Sequence, residues 1–256
     1  MLPGLALALL GLVAGVCVEG VVSSFHHDGS LRPWPRCRSC GRPATPTLLI
    51  PLAGYVAQRR CVGCGRTQLL RAAQIECATA LAFVILGGQY GGHPLLLAVS
   101  LAEAALLVAV FFIDLELRLI PTLLVTLLVL LALGSAAAWP QMGLWSALLG
   151  GAIGFGVFGL LVALARVVFG EGALGMGDAN LALAIGCITG YPQVVLALSL
   201  GVFLGGLGAV LVILAGIVAR NRGWGLHSTI PYGPYLVLGV LWVLSQGNTL
   251  TPLAHL

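Results

Sequence analysis

Seven stretches of this chain are too long and too apolar for an ordinary domain folded in water: residues 2–24, 72–88, 94–113, 121–139, 143–169, 193–219 and 231–246. An α-helix rises about 1.5 Å per residue, so about 20 apolar residues cross the hydrocarbon of a bilayer. No water reaches that layer, so each backbone N–H and C=O must pair within its own segment, which a helix achieves. An eighth, shorter run, 179–189, stops at Gly190-Tyr191-Pro192. Of the 256 residues, 59% are hydrophobic and 8% charged, against roughly 25% charged in a soluble domain. The expected fold is an all-α polytopic membrane protein of about eight transmembrane helices, and soluble fold classes are excluded. The 36 glycines suit helices that approach closely where lipid supplies no hydrophobic drive for association.

The basic residues set a topology. There is no lysine; all twelve are arginine, and eight fall between Arg32 and Arg71. Loops on the cytoplasmic side carry the Lys/Arg excess. With the N-terminus outside and eight crossings, Arg118, Arg166, Arg220 and Arg222 join those eight on the cytoplasmic side. Without the short run, Arg220 and Arg222 would be stranded outside. The run 2–24 lacks the basic start of a cleaved signal and is expected to remain as the first helix. The net charge of +4 thus reports topology and gives no reason to expect a nucleic-acid partner.

Between about residues 25 and 71 lies the one sizeable polar loop, too short for a core of its own. Units of that size need a metal or disulfides. It carries Cys37-Arg38-Ser39-Cys40 and Cys61-Val62-Gly63-Cys64. Two-residue spacing turns both thiolates of a knuckle toward one tetrahedral ion. Gly41 and Gly65 follow the knuckles, where the turn needs a permissive backbone. A reducing cytoplasmic compartment disfavours disulfides, so the four cysteines are expected to hold a structural zinc. A pair of redox-active CxxC motifs is the alternative. Cys17, Cys77 and Cys187 lie in apolar runs and read as packing residues.

Asp114 and Asp178 sit at the edges of apolar runs, where a carboxylate costs a few kcal/mol and is by default a functional-site hypothesis. The topology puts both at the cytoplasmic depth. Two facing carboxylates share a proton. The ionised one can take a proton from water; the neutral one can polarise a peptide carbonyl and later protonate the leaving amine. Gly175 and Gly177, just before Asp178, suit a helix start with close backbone approach. The plainer reading has Asp178 as a helix cap and Asp114 paired with Arg118 four residues on. Glu116 reads as a solvated interfacial charge. Glu19 and Glu103 fall inside predicted helices and allow a proton or ion path, and Glu76 has no evident role.

Four elements in order then resemble the type IV prepilin peptidases, also called prepilin leader peptidase/N-methyltransferases. Ile113-Asp114 to Ile120-Pro121 is similar to the first catalytic motif. Gly175-Met176-Gly177-Asp178, preceded by Glu171 and followed by Leu181, is similar to the GxGD motif. The two cysteine knuckles flanking Leu49-Ile50-Pro51-Leu52 resemble the zinc loop, and Ile230-Pro231-Tyr232-Gly233-Pro234-Tyr235 resembles the late motif. The resemblance covers most of the chain. It implies an aspartyl endopeptidase of the bacterial cytoplasmic membrane, with type IV prepilins or pseudopilins as substrates and lipid as surroundings. Cleavage would follow a glycine at the cytoplasmic face, with N-methylation of the new terminus by S-adenosylmethionine. It implies Asp114 and Asp178 as catalytic residues and Cys37, Cys40, Cys61 and Cys64 as ligands of Zn2+. It also divides the chain into a first helix, 1–24, a methyltransferase-associated zinc loop, 25–71, and a peptidase core, 72–256.

The sequence departs from the family pattern at three places. Thr122 replaces an Asp after Pro121, Asn180 replaces a Lys after Asp178, and Glu19-Gly20-Val21-Val22-Ser23-Ser24 lacks the usual Asn and Arg. The last departure falls in the region tied to methyl transfer, so the peptidase half is better supported. Three other functions are weighed. A presenilin-like protease would leave the zinc loop unexplained, and the chain lacks Tyr-Asp and Pro-Ala-Leu motifs. A non-enzymatic proton or ion carrier would use Glu19, Glu103 and the aspartates. A zinc-loop scaffold for pilus or secretion assembly would need the cysteines and not the aspartates.

Overall fold

The computed structural model describes residues 4–25, 32–44, 50–52, 60–66, 69–138, 143–169, 175–218 and 231–247. Glu171, Leu49, Arg220, Arg222 and Ile230, which enter the sequence reading, lie outside them. The described residues form eight helices: α1 Gly4–Phe25, α2 Leu69–Tyr90, α3 Pro94–Leu117, α4 Thr122–Ala138, α5 Leu144–Phe169, α6 Met176–Thr189, α7 Gln193–Val218 and α8 Gly233–Gln246. Among the described residues there is no strand, only an isolated bridge between Arg36 and Pro43. Each apolar run of the sequence is a helix, with ends shifted by a few residues.

Five helices, α1, α2, α3, α5 and α7, are long and apolar enough to cross a membrane. The other three are apolar but shorter, and α6 and α8 have 14 residues each. At 1.5 Å per residue, 14 residues reach about 21 Å, short of a ~30 Å hydrocarbon layer.

The helix ends follow local chemistry. Pro94 opens α3, where its missing N–H would have had no intrahelical partner. Arg118 takes a left-handed conformation, φ 55, and ends α3. Gly190, φ 70, closes α6 and donates its N–H to the Gly186 carbonyl at 2.8 Å. The next turn is fastened to the start of α5: Tyr191 N–H donates to Ser146 O at 3.1 Å, and Ser146 Oγ donates to Tyr191 O at 2.9 Å.

The chain forms two compact units, Met1–Leu117 and Arg118–Leu256. In the first, α1, α2 and α3 pack on one another and carry the cysteine loop. Gly11 and Gly15 of α1 lie against the backbone of Ala80 and Glu76 of α2; a Cβ at either would come within 2.6 Å of an α2 Cα. In the second unit α6 packs against α4, α5, α7 and α8. Its residues are buried from Asp178 to Thr189 with few exceptions. Gly150 and Gly154 of α5 meet the backbone of Gly186 and Ala182 on α6. Gly205 and Gly208 of α7 accommodate the rings of Tyr232 and Tyr235. Spacings of three and four residues place these glycines on one face, which is the small-residue packing of membrane helices. The opposite faces of α5 and α7 expose Trp145, Val167, Phe203 and Leu211, as lipid-facing helices do.

Candidate active site and metal centre

The four cysteines predicted as ligands come together. Their sulfurs all lie within 4.8 Å of one another, with Cys37 and Cys64 3.5 Å apart and Cys40 and Cys61 3.7 Å apart. Tetrahedral thiolates about 2.3 Å from zinc stand about 3.8 Å apart, close to these two separations, so the donor set is of the size the ion takes. The two knuckles are built alike. Cys37 N–H donates to Arg42 O and Cys61 N–H to Arg66 O, both at 2.9 Å. Gly41 and Gly65, φ 67 and 70, return their N–H groups to Cys37 O and Cys61 O at 2.8 Å. Gly63 N–H also points at Cys61 Sγ, 3.4 Å away. All four are free thiols. Burial opposes ionisation of Cys61, but N–H groups of Gly63 and Cys64 and the thiols of Cys37 and Cys40 draw it down to about 7. The loop therefore brings four sulfurs into one closed set that could hold a metal ion.

The loop is tied to α1 by residues that the sequence reading noted only as departures. Ser23 and Ser24 are fully buried. Ser23 Oγ accepts the Arg36 N–H at 3.0 Å and donates to Gly20 O at 3.0 Å. Ser24 Oγ donates to Arg32 O at 3.4 Å. Gly20 lies under Pro33, whose carbonyl would stand 2.3 Å from an added Cβ.

Asp114 belongs to the first unit, in the last turn of α3, and is 5% exposed. Asp178 belongs to the second, in the first turn of α6, and is 9% exposed. Asp178 does not occupy the cap position, which falls to Gly175; it is the third helical residue. Its N–H donates to Gly175 O at 3.1 Å, and its Oδ2 accepts the Gly175 N–H at 3.2 Å. One carboxylate oxygen thus serves the helix start, where an anion also meets the positive end of the dipole. Gly177 packs against Ile120, whose Cβ would be 3.1 Å from an added Cβ. That contact fastens the Ile120-Pro121 segment to the turn bearing Asp178. Tyr232 of the late motif, whose ring centroid lies 6.1 Å from that of Phe158, also feels the Asp178 charge.

Glu116 is not the solvated charge expected of it. Its side chain is 11% exposed and accepts two hydrogen bonds from Arg71, from Nε to Oε1 and from Nη2 to Oε2, the second at 3.1 Å. Arg71 Nη1 also donates to Glu19 Oε1 at 2.7 Å. Glu19 is therefore spoken for by an ion pair that joins α1, α2 and α3. Glu76, with no role assigned from sequence, is fully buried and accepts the Leu52 N–H at 2.8 Å, anchoring the loop where Leu52 takes φ 56. The signal in the sequence was cost: an acid inside an apolar helix needs a partner, and Arg71, 52 residues from Glu19 and 45 from Glu116, is a partner that only the packing supplies.

These features define a class: a multi-pass helical membrane protein with a four-cysteine loop able to hold a metal, and buried acids. A model of the Type IV leader peptidase family matches residues 101–211, and one of the Bacterial Peptidase A24 N-terminal domain matches residues 9–90. The chain is 33% identical over 244 residues to a prepilin leader peptidase/N-methyltransferase of Myxococcus xanthus, covering 94% of this chain and 72% of that one. It is 25% identical over 225 residues to the protein of the same name from Bacillus subtilis, covering 88% and 86%. It is 29% identical over 225 residues to that of Pseudomonas aeruginosa, covering 86% and 73%. The chain belongs to the type IV leader peptidase family, and it is a peptidase. No solved structure matches it.

Proposed function

We propose that the protein is an aspartyl endopeptidase that removes the leader of type IV prepilins or pseudopilins after a glycine, at the cytoplasmic face of the bacterial inner membrane. The observation that carries the reading is the leader-peptidase match over 101–211, a span that contains both buried aspartates. Asp114 and Asp178 are its catalytic residues. One, ionised, takes a proton from water as the oxygen attacks the peptide carbonyl. The other, neutral, donates a hydrogen bond to that carbonyl and then gives its proton to the departing amine. Eight crossings with the N-terminus outside and all twelve arginines inside belong to the same reading.

Zinc, held by Cys37, Cys40, Cys61 and Cys64, would supply a fold for the loop and no reacting group. Methylation is proposed from the names of the relatives.

The test is to incubate the purified protein in lipid with a synthetic prepilin, with and without methyl donor, and weigh the products. The expected mass is that of the peptide trimmed after glycine, with one added methyl group when donor is present. Asp114→Asn and Asp178→Asn, both still inserted, are each expected to lower cleavage at least about a hundredfold, the lower range for loss of acid–base catalysis. Normal trimming by either variant would remove the aspartyl mechanism.

A further inference from the structure

Arg71 stands in the first turn of α2, where a cation meets the positive end of the helix dipole. That position is unfavourable unless acids hold the side chain. They do: Nη1 is bound by Glu19 of α1, and the Nε–Nη2 edge is bound by both oxygens of Glu116. Glu116 in turn is the next-to-last residue of α3, two after Asp114. Both acids lie at the negative end of that helix dipole, where a cation is favourable. Arg38, from within the first cysteine knuckle, adds a longer contact of 3.8 Å to Glu116 but is 44% exposed.

We propose that Arg71 is a positioning residue for the peptidase reaction: its two-pronged hold on Glu116 fixes the last turn of α3 and with it the carboxylate of Asp114. The inference rests on the reading of Asp114 as catalytic. A planar guanidinium matches a carboxylate along two parallel bonds, which sets the rotation of the helix end as well as its charge. A lysine keeps the charge and loses that geometry.

The test compares Arg71→Lys, Glu116→Gln, the double variant and Asp114→Asn in the synthetic-prepilin assay, with zinc content and monodispersity as checks on folding. Arg71→Lys is expected to lower kcat at least tenfold, with KM within twofold of the parent and zinc retained. Glu116→Gln should lower kcat similarly, and the double variant should fall no further than the worse single variant, because both remove one contact. A kcat within twofold of the parent for Arg71→Lys would overturn the proposal, as would losses that multiply in the double variant. If Arg71→Lys does not fold, Glu116→Gln decides alone, and a parental kcat there refutes it. Normal cleavage by Asp114→Asn would instead overturn the reading of Asp114 itself, whatever Arg71→Lys does.

Discussion

Gly186→Ala tests the packing that holds the Asp178 helix. A Cβ at residue 186 would stand 2.1 Å from Gly150 O, 2.4 Å from Gly150 C and 2.7 Å from Gly151 N, where ordinary contact begins at 3.4 Å. All three are backbone atoms, so no rotamer change relieves the clash, and α5 and α6 must part by about 1 Å. Overpacking of this kind costs about 1–3 kcal/mol, and the rigid neighbours argue for the upper end. Replacing a helical glycine by alanine returns about 1 kcal/mol. The net expectation is a loss of about 2 kcal/mol, roughly a 30-fold shift of the unfolding equilibrium. Gly156→Ala on α5 is the matched control. Nothing lies within 4 Å of its added Cβ, so it should be neutral or stabilising by up to about 1 kcal/mol. Reversible unfolding in mixed detergent micelles measures both. Equal stabilities for the two variants would refute the close contact between α5 and α6.

Other expectations follow from the loop. Purified protein should carry about one zinc per chain by metal analysis, and Cys61→Ser with Cys64→Ser should lose it, since four thiolates complete the tetrahedron; an active, metal-free parent protein would contradict this. Ser23→Ala removes the buried acceptor of the Arg36 N–H, at a cost of about 1–3 kcal/mol for a donor left unpaired. Hydrogen exchange at Arg36 and neighbouring loop amides should quicken tenfold or more, and unchanged exchange there would show that Ser23 does not hold the loop.

Much of this architecture was legible because its causes are local. Apolar length dictates helix, so 94–113 and 143–169 became α3 and α5 with little change. Gly190-Tyr191-Pro192 ends α6 because glycine alone there takes φ 70 without strain. The cysteine knuckles close on hydrogen bonds spanning four or five residues, so their spacing was enough to bring two sulfurs of each together. Glu116 shows where local reasoning stops. At the end of an apolar helix it reads as a charge facing water, because nothing within four residues demands otherwise. Its partner Arg71 is 45 residues away in sequence, and only the packing of α2 against α3 makes the pair.

The sequence by itself determined that this chain is a membrane-embedded helical bundle with a paired-cysteine loop and costly aspartates, since hydropathy, thiol spacing and charge scarcity are properties of short segments. Tertiary structure decided which buried charges answer one another. Glu19, Arg71 and Glu116 come from three helices, and Glu76 reaches back to Leu52. A buried ion is stable only with a partner at hydrogen-bond distance, and no short-range pattern specifies which distant residue that will be.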